Sequence, residues 1–188
     1  MSKIIAIMLL LCCGMMLFGC ADDNGRRKAE QQKTIVVTDS VGRKVELPYP
    51  LERVAVCNVY NAELITAVGA IDKIVGVDNY IFKDQSGFKN RFNEAQVFGI
   101  SQNAMNYEKL AELAPQAVII TGEGTWRDAQ EMLDRFGIKV IVINSYYTDQ
   151  FADNCRLIGR IFGREEQAEE LVNYFNDKLA YIQKQLQG

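Results

Sequence analysis

Residues 117–143, AVIITGEGTWRDAQEMLDRFGIKVIVI, decide the fold. Ala117 to Thr121 and Lys139 to Ile143 are runs of apolar, mostly β-branched residues of strand length, with turn or helix signals on either side. Between them, Thr125 followed by Asp128 makes a capping-box-like start for a helix running to Phe136, and Gly137 ends it. A strand, a helix and a second strand in this order form the repeating unit of an α/β layer architecture with a largely parallel sheet.

Working outward, the same alternation recurs. Arg53 to Cys57 reads as a strand, Asn61 to Val68 as a helix closed by Gly69, and Lys73 to Val77 as the next strand. Ala95 to Phe98 reads as a further short strand. Tyr107 to Leu113 is helical, with Asn106 in the cap position and Pro115 forbidding continuation. Thr148 caps a helix reaching Phe162, where Gly163 marks the end. Ahead of this series, Thr34 to Thr38 and Arg43 to Leu47 flank the turn Asp39-Ser40-Val41-Gly42 and predict a β-hairpin, ended by Pro48 and Pro50. The class is therefore α/β, a three-layer Rossmann-like lobe with a mostly parallel sheet, an N-terminal hairpin and a long C-terminal helix. That helix spans Glu165 to Leu186, about 33 Å long at 1.5 Å per residue. Ala168, Leu171, Val172, Phe175, Leu179, Ile182 and Leu186 make one narrow apolar stripe along it, and the distal half has no evident partner in the chain.

The first residues are different in kind. Lys3 gives a positive start, Ile4 to Leu11 is apolar, and Leu17-Phe18-Gly19-Cys20 follows. This order resembles a bacterial lipoprotein signal, residues 1–20, with Cys20 as the lipidated first residue of the mature chain, although Phe18 is bulkier than such boxes usually carry. An uncleaved N-terminal anchor is the alternative, and both place the remainder outside the cytoplasm. Residues 21–33 are polar, charged and poor in apolar side chains, which predicts a flexible tether.

Composition excludes several classes. Net charge is −3 with acidic residues spread along the chain, so nothing points to nucleic acid. With no histidine, Ser-His-Asp or Cys-His catalysis and His-ligated metal are unavailable, and neither an enzyme nor a resident metal or cofactor is expected. Of five cysteines, Cys12, Cys13 and Cys20 belong to the leader, which leaves Cys57 and Cys155 as a disulfide or as two buried thiols. Gly122-Glu123-Gly124-Thr125 is not a nucleotide loop, because Arg127 stands where the fingerprint needs glycine and no Lys-Ser or Lys-Thr pair follows.

Ligands of an open parallel sheet sit outside the carboxyl ends of its strands. That rule nominates Asn58 and Tyr60 with Val59 after the first strand, and Asp78 and Tyr80 after the second. Gln102 and Asn103, within Ser101 to Asn106, follow the short strand. Glu123, Thr125 and Trp126 come after the fourth, and Tyr146 and Tyr147 after the last. Rigid aromatic faces with polar tips suit a bulky, partly apolar chelate, although surface loops of any α/β domain carry some aromatics.

The segments DSVGRKVELP at 39–48, ERVAV at 52–56, NAELITAVGA at 61–70, IVGV at 74–77 and NYEKLAELAPQAVI at 106–119 stand in one order. Together they resemble the periplasmic-binding (class III) lipoproteins of ABC transporters for iron-siderophores, haem and cobalamin. The resemblance implies an extracytoplasmic, membrane-tethered solute binder that hands an iron(III)-siderophore-type chelate to an ABC permease driven by its ATPase. A cobalamin-type corrinoid or haem is the alternative ligand. It makes residues 34–163 the N-terminal lobe and 164–188 the interlobe helix, with the second lobe absent from the chain, and it places Glu63 at the acidic contact with the permease. Two readings from other classes stand beside it: a flavodoxin-like or Rossmann-like enzyme, and an interaction module that dimerises through its last helix.

Overall fold

The computed structural model describes residues 33–186. The signal segment with Cys20, and the tether up to residue 32, lie outside the described residues.

β1 (Thr34–Thr38) and β2 (Lys44–Pro48) pair antiparallel, Thr34 opposite Pro48 and Thr38 opposite Lys44. The sheet proper comprises β3 (Val54–Val56), β4 (Ile74–Val77), β5 (Ala117–Ile120) and β6 (Lys139–Val142). All its pairings are parallel, in the order β4-β3-β5-β6. The helices are α1 (Val59–Ala67), α2 (Asn79–Lys83), α3 (Tyr107–Glu112), α4 (Trp126–Asp134), α5 (Phe151–Phe162) and α6 (Glu165–Leu186).

Alternation along the strands feeds two cores. Val54, Val56, Ile119 and Ile141 pack on one face with Ile65 of α1, Ile158 of α5 and Val172 of α6. Ala55, Cys57, Val118 and Val140 pack on the other with Leu110 of α3 and Leu133 of α4. With both faces covered, the strands have no polar side to show, which is why they read as continuous apolar runs. Cys57 and Cys155 belong to opposite cores and are free buried thiols, so the disulfide alternative is ruled out. Burial pushes both thiols up, Cys155 to about 12.

The hairpin is riveted to the sheet edge by one buried carboxylate. Asp39 accepts the backbone N–H of Val41 at 3.2 Å, of Arg43 at 2.9 Å and of Val142 in β6 at 3.3 Å. It also pairs with the Arg43 guanidinium at 2.6 Å.

Three local expectations are corrected. Ala95 to Phe98 is not a regular strand: Glu94–Gln96 is a 3-10 turn whose capping box uses Asn93 and Gln96. Only a single parallel bridge, Val77 to Val97, reaches the sheet. Thr125 precedes α4 without a side-chain cap, because its hydroxyl bonds Asn103 at 3.3 Å instead. Thr148–Gln150 is a separate 3-10 turn, so the next helix starts at Phe151, also without a side-chain cap.

α6 packs over its first half only. Gly163, in the left-handed region at φ 64, turns the chain from α5 into α6. Arg156 grips Glu169 through Nε at 2.6 Å, and the Phe151 and Phe175 rings stack with centroids 4.1 Å apart. Beyond Phe175 the apolar stripe is open: Leu179, Ile182 and Leu186 are 41%, 50% and 81% exposed. Among the described residues no helix is long and apolar enough to cross a membrane.

The α5–α6 contact depends on Gly159, where a Cβ would stand 2.5 Å from the Ala168 Cβ and 2.9 Å from the Arg164 carbonyl. Gly159→Ala is expected to cost about 1–3 kcal/mol by overpacking, read from urea unfolding. A neutral substitution would show that the two helices do not meet in this way.

Candidate functional site

β3 lies inside the sheet. The chain leaves it for β4 on one side and then crosses to β5 on the other, so the loops after β3 and β5 diverge. A crevice opens at such a switch point, outside the carboxyl ends of the strands. Here it is a cavity of about 680 Å³, open to solvent and lined from the ends of β3, β4 and β5 and from the loop around residues 101–103.

The turn after β3 is held by a carboxylate from the turn after β4. Asn58 adopts φ 78, unusual for a residue with a Cβ, and caps α1 by accepting the Tyr60 N–H at 2.9 Å. Its own N–H donates to Asp78 Oδ2 at 3.0 Å, while Asp78 Oδ1 caps α2 by accepting the Ile81 N–H at 2.9 Å. Both oxygens of Asp78 are thus committed to main chain, so it fixes the wall. The same clamp sets Tyr60 and Tyr80, in the first turns of α1 and α2, at the cavity, 55% and 62% exposed.

The opposite wall is stapled by Gln102. Its Oε1 accepts from the Thr121 N–H at 2.9 Å and the Thr121 hydroxyl at 2.8 Å, and its amide donates to the Glu123 carbonyl. Asn103 crowds Gly124, which sits at φ 72 with its missing Cβ position 2.4 Å from Asn103 Oδ1, so a larger residue there would be strained and would displace the Asn103 side chain. Glu123 reaches the cavity, and its Oε1 accepts the Tyr146 hydroxyl at 3.2 Å.

Asn58, Tyr60, Asp78, Tyr80, Gln102, Asn103 and Glu123 therefore come together around one cavity. Four other nominated residues do not line it. Thr125 lies behind Asn103, and Tyr146 and Tyr147, ring centroids 4.3 Å apart, reach it only through Glu123. Trp126 turns into the core beside Ala129 and Leu133, between the Arg43 and Arg127 guanidinium groups at 4.3 and 4.2 Å from its ring. The two guanidinium groups, stacked on the indole, hold it there and away from the rim. Glu63, assigned by resemblance to the permease, also borders the cavity. Thr121 is a lining residue that strand reading hid; a lone polar residue ending an apolar run was its signal.

Burial raises the Tyr146 hydroxyl well above its ordinary value, with bonds to Tyr147 and Glu123 adding to it. The formal charge of the lining comes from Glu63, Asp78 and Glu123 alone among the described residues. Among the described residues no group of three His, Cys, Asp or Glu could hold a metal ion.

Comparison with known proteins fits this geometry. A family model described as periplasmic binding protein matches residues 54–188. The chain belongs to this family. Among curated proteins none matches by sequence. A periplasmic solute binding protein from Veillonella parvula superposes with a TM-score of 0.68 at 28% identity, over 81% of this chain and 48% of that one. Staphylococcus aureus SirA, complexed with staphyloferrin B, gives 0.65 at 21%, over 80% and 50%. Haemophilus influenzae MolA, bound to molybdate, gives 0.65 at 23%, over 77% and 52%. The chain spans about half the length of these structures.

The clamp titrates. Burial, the dominant cause, holds Asp78 above its ordinary 3.8, although N–H bonds from Ile81, Asn58 and Tyr80 oppose the rise. The folded chain therefore keeps this proton better than the unfolded one. The contribution of Asp78 to stability is full below 3.8 and is lost as pH rises through its raised folded value. Asp78→Asn keeps one acceptor oxygen for the Asn58 and Ile81 N–H groups that the two carboxylate oxygens now take, which costs about 1–3 kcal/mol. Urea unfolding of both proteins from about pH 4 to 7 should show the gap between them narrowing as pH rises. A widening gap would contradict this.

Proposed function

We propose that this chain is the solute-capturing part of an extracytoplasmic binding protein of an ABC importer, and that its cargo is an iron(III)-siderophore-type chelate. The observation that carries this reading is the cavity at the switch point, rimmed by exposed tyrosines, in a chain of this family. A volume of about 680 Å³ suits a compact chelate, and ring faces with polar tips hold such a ligand by shape and a few hydrogen bonds. Without a metal-holding cluster of its own among the described residues, the wall takes a metal that arrives already chelated. Staphyloferrin B on SirA and the petrobactin-binding YclQ of Bacillus subtilis support a siderophore; the heme-binding HmuT keeps haem as the nearest alternative.

On this reading residues 34–163 are one lobe, and α6 is the bridge to a second one. The bare distal stripe of α6, and matched structures of about twice the length, support that division. Glu63, exposed on α1 at the cavity lip, supplies the acidic contact for the permease, and lipid on Cys20 holds the protein at the membrane. Electrostatic contacts of this kind govern register and encounter more than affinity.

A single wall leaves much of a ligand in solvent, whereas tight pockets bury most of its surface. Isothermal titration of the chain with a panel of ferric chelates and a corrinoid is expected to show one binder with a dissociation constant weaker than about 1 μM. Tyr60→Ala combined with Tyr80→Ala should weaken it at least about tenfold, the contribution of two aromatic contacts. No binder in the panel, or binding indifferent to both tyrosines, would overturn the proposal.

A further inference from the structure

The charge of the cavity narrows the cargo, given that the cavity is the capture wall. Glu63 and Glu123 stand at its opening, and among the described residues no lysine or arginine lines it. Asp78 is committed to backbone N–H groups, but Glu123 is not spent in the same way. Its Oε1 accepts from Tyr146, and its Oε2 takes no hydrogen bond from the described residues. Tyr60 and Tyr80 add two exposed rings to the same lining, and ring faces attract cations. Carboxylate and aromatic face together make a receptor for an ammonium group. A ligand displaying carboxylates, catecholates or an oxoanion would bring like charge against this wall with no cation to meet it.

We infer that the cargo is a ferric chelate of net positive charge, a hydroxamate complex carrying a free ammonium group. Hydroxamates are monoanionic, so a trihydroxamate cancels the ferric charge and leaves the net charge to its side chain. Catecholates and α-hydroxycarboxylates bind as dianions, overcompensate the metal and leave the complex anionic.

Charge can be varied on one metal core. The probes are gallium complexes of a linear trihydroxamate whose terminal amine is free, acetylated or succinylated, giving net positive, neutral and negative forms of nearly the same shape. Titrated into the isotopically labelled full chain and read from amide shifts of residues lining the cavity, affinity should fall in that order. The free amine should bind about tenfold more tightly than the succinylated form. Glu123→Gln, or raising salt toward about 0.5 M, should compress that difference to about threefold or less. Equal or tighter binding of the succinylated complex at the same residues would overturn the charge assignment and leave the capture reading intact. If none of the three complexes shifts the cavity resonances, the charge assignment falls with it.

Discussion

The two oxygens of Asp78 hold the turn after β3 to the turn after β4: one accepts the Asn58 N–H and the other starts α2 at Ile81. Without that clamp Asn58 has little reason to remain at φ 78, and Tyr60 would lose the capped first turn that sets it at the rim. The anion is kept at an electrostatic cost, since burial outweighs the N–H bonds and raises its pKa. What that cost maintains is a fixed wall, with Tyr60 and Tyr80 presented from two neighbouring helix starts. On the far side Gln102 does comparable work with neutral groups, tying the loop around residues 101–103 to the end of β5. Rigid edges of this sort let an open crevice keep its shape before a ligand arrives.

Much of this was legible because the governing signals are local. Gly163 ends α5 in the left-handed region, Asn106 caps α3 through the Lys109 N–H, and the apolar stripe from Ala168 onward marks α6 at both ends. The sheet rule pointed to Asn58, Tyr60, Asp78, Tyr80, Gln102, Asn103 and Glu123, which share the cavity, but a place after a strand did not bring Thr125, Trp126, Tyr146 or Tyr147 to it. Where reading failed, a non-local partner had intervened. The Thr125 hydroxyl is taken by Asn103, twenty-two positions away, and Trp126 is drawn between Arg43 and Arg127 by packing that spacing does not encode. The misread strand at Ala95 to Phe98 is a different case, for Asn93 and Gln96 already spelled a capping box.

The last helix divides the molecule by function. Its first half is core, locked by the Gly159–Ala168 approach, the Arg156–Glu169 pair and the Phe151–Phe175 stack. Its second half shows solvent a stripe of Leu179, Ile182 and Leu186 that no described residue covers. A helix that is half anchored and half bare is suited to carry a second body at a fixed angle, as the proposed bridge requires. The cavity and the bare stripe thus fit one account: one wall of a capture site, and a stiff element leading from it.

That account turns on where a ligand sits. Crystals of the chain soaked with the ferric complex of the amine-bearing trihydroxamate would locate the iron directly by its anomalous scattering. The account predicts a single peak over the ends of β3 and β5, within reach of Tyr60, Tyr80 and Glu123. Iron at the opposite end of the sheet, or along α6 with the crevice empty, would contradict it.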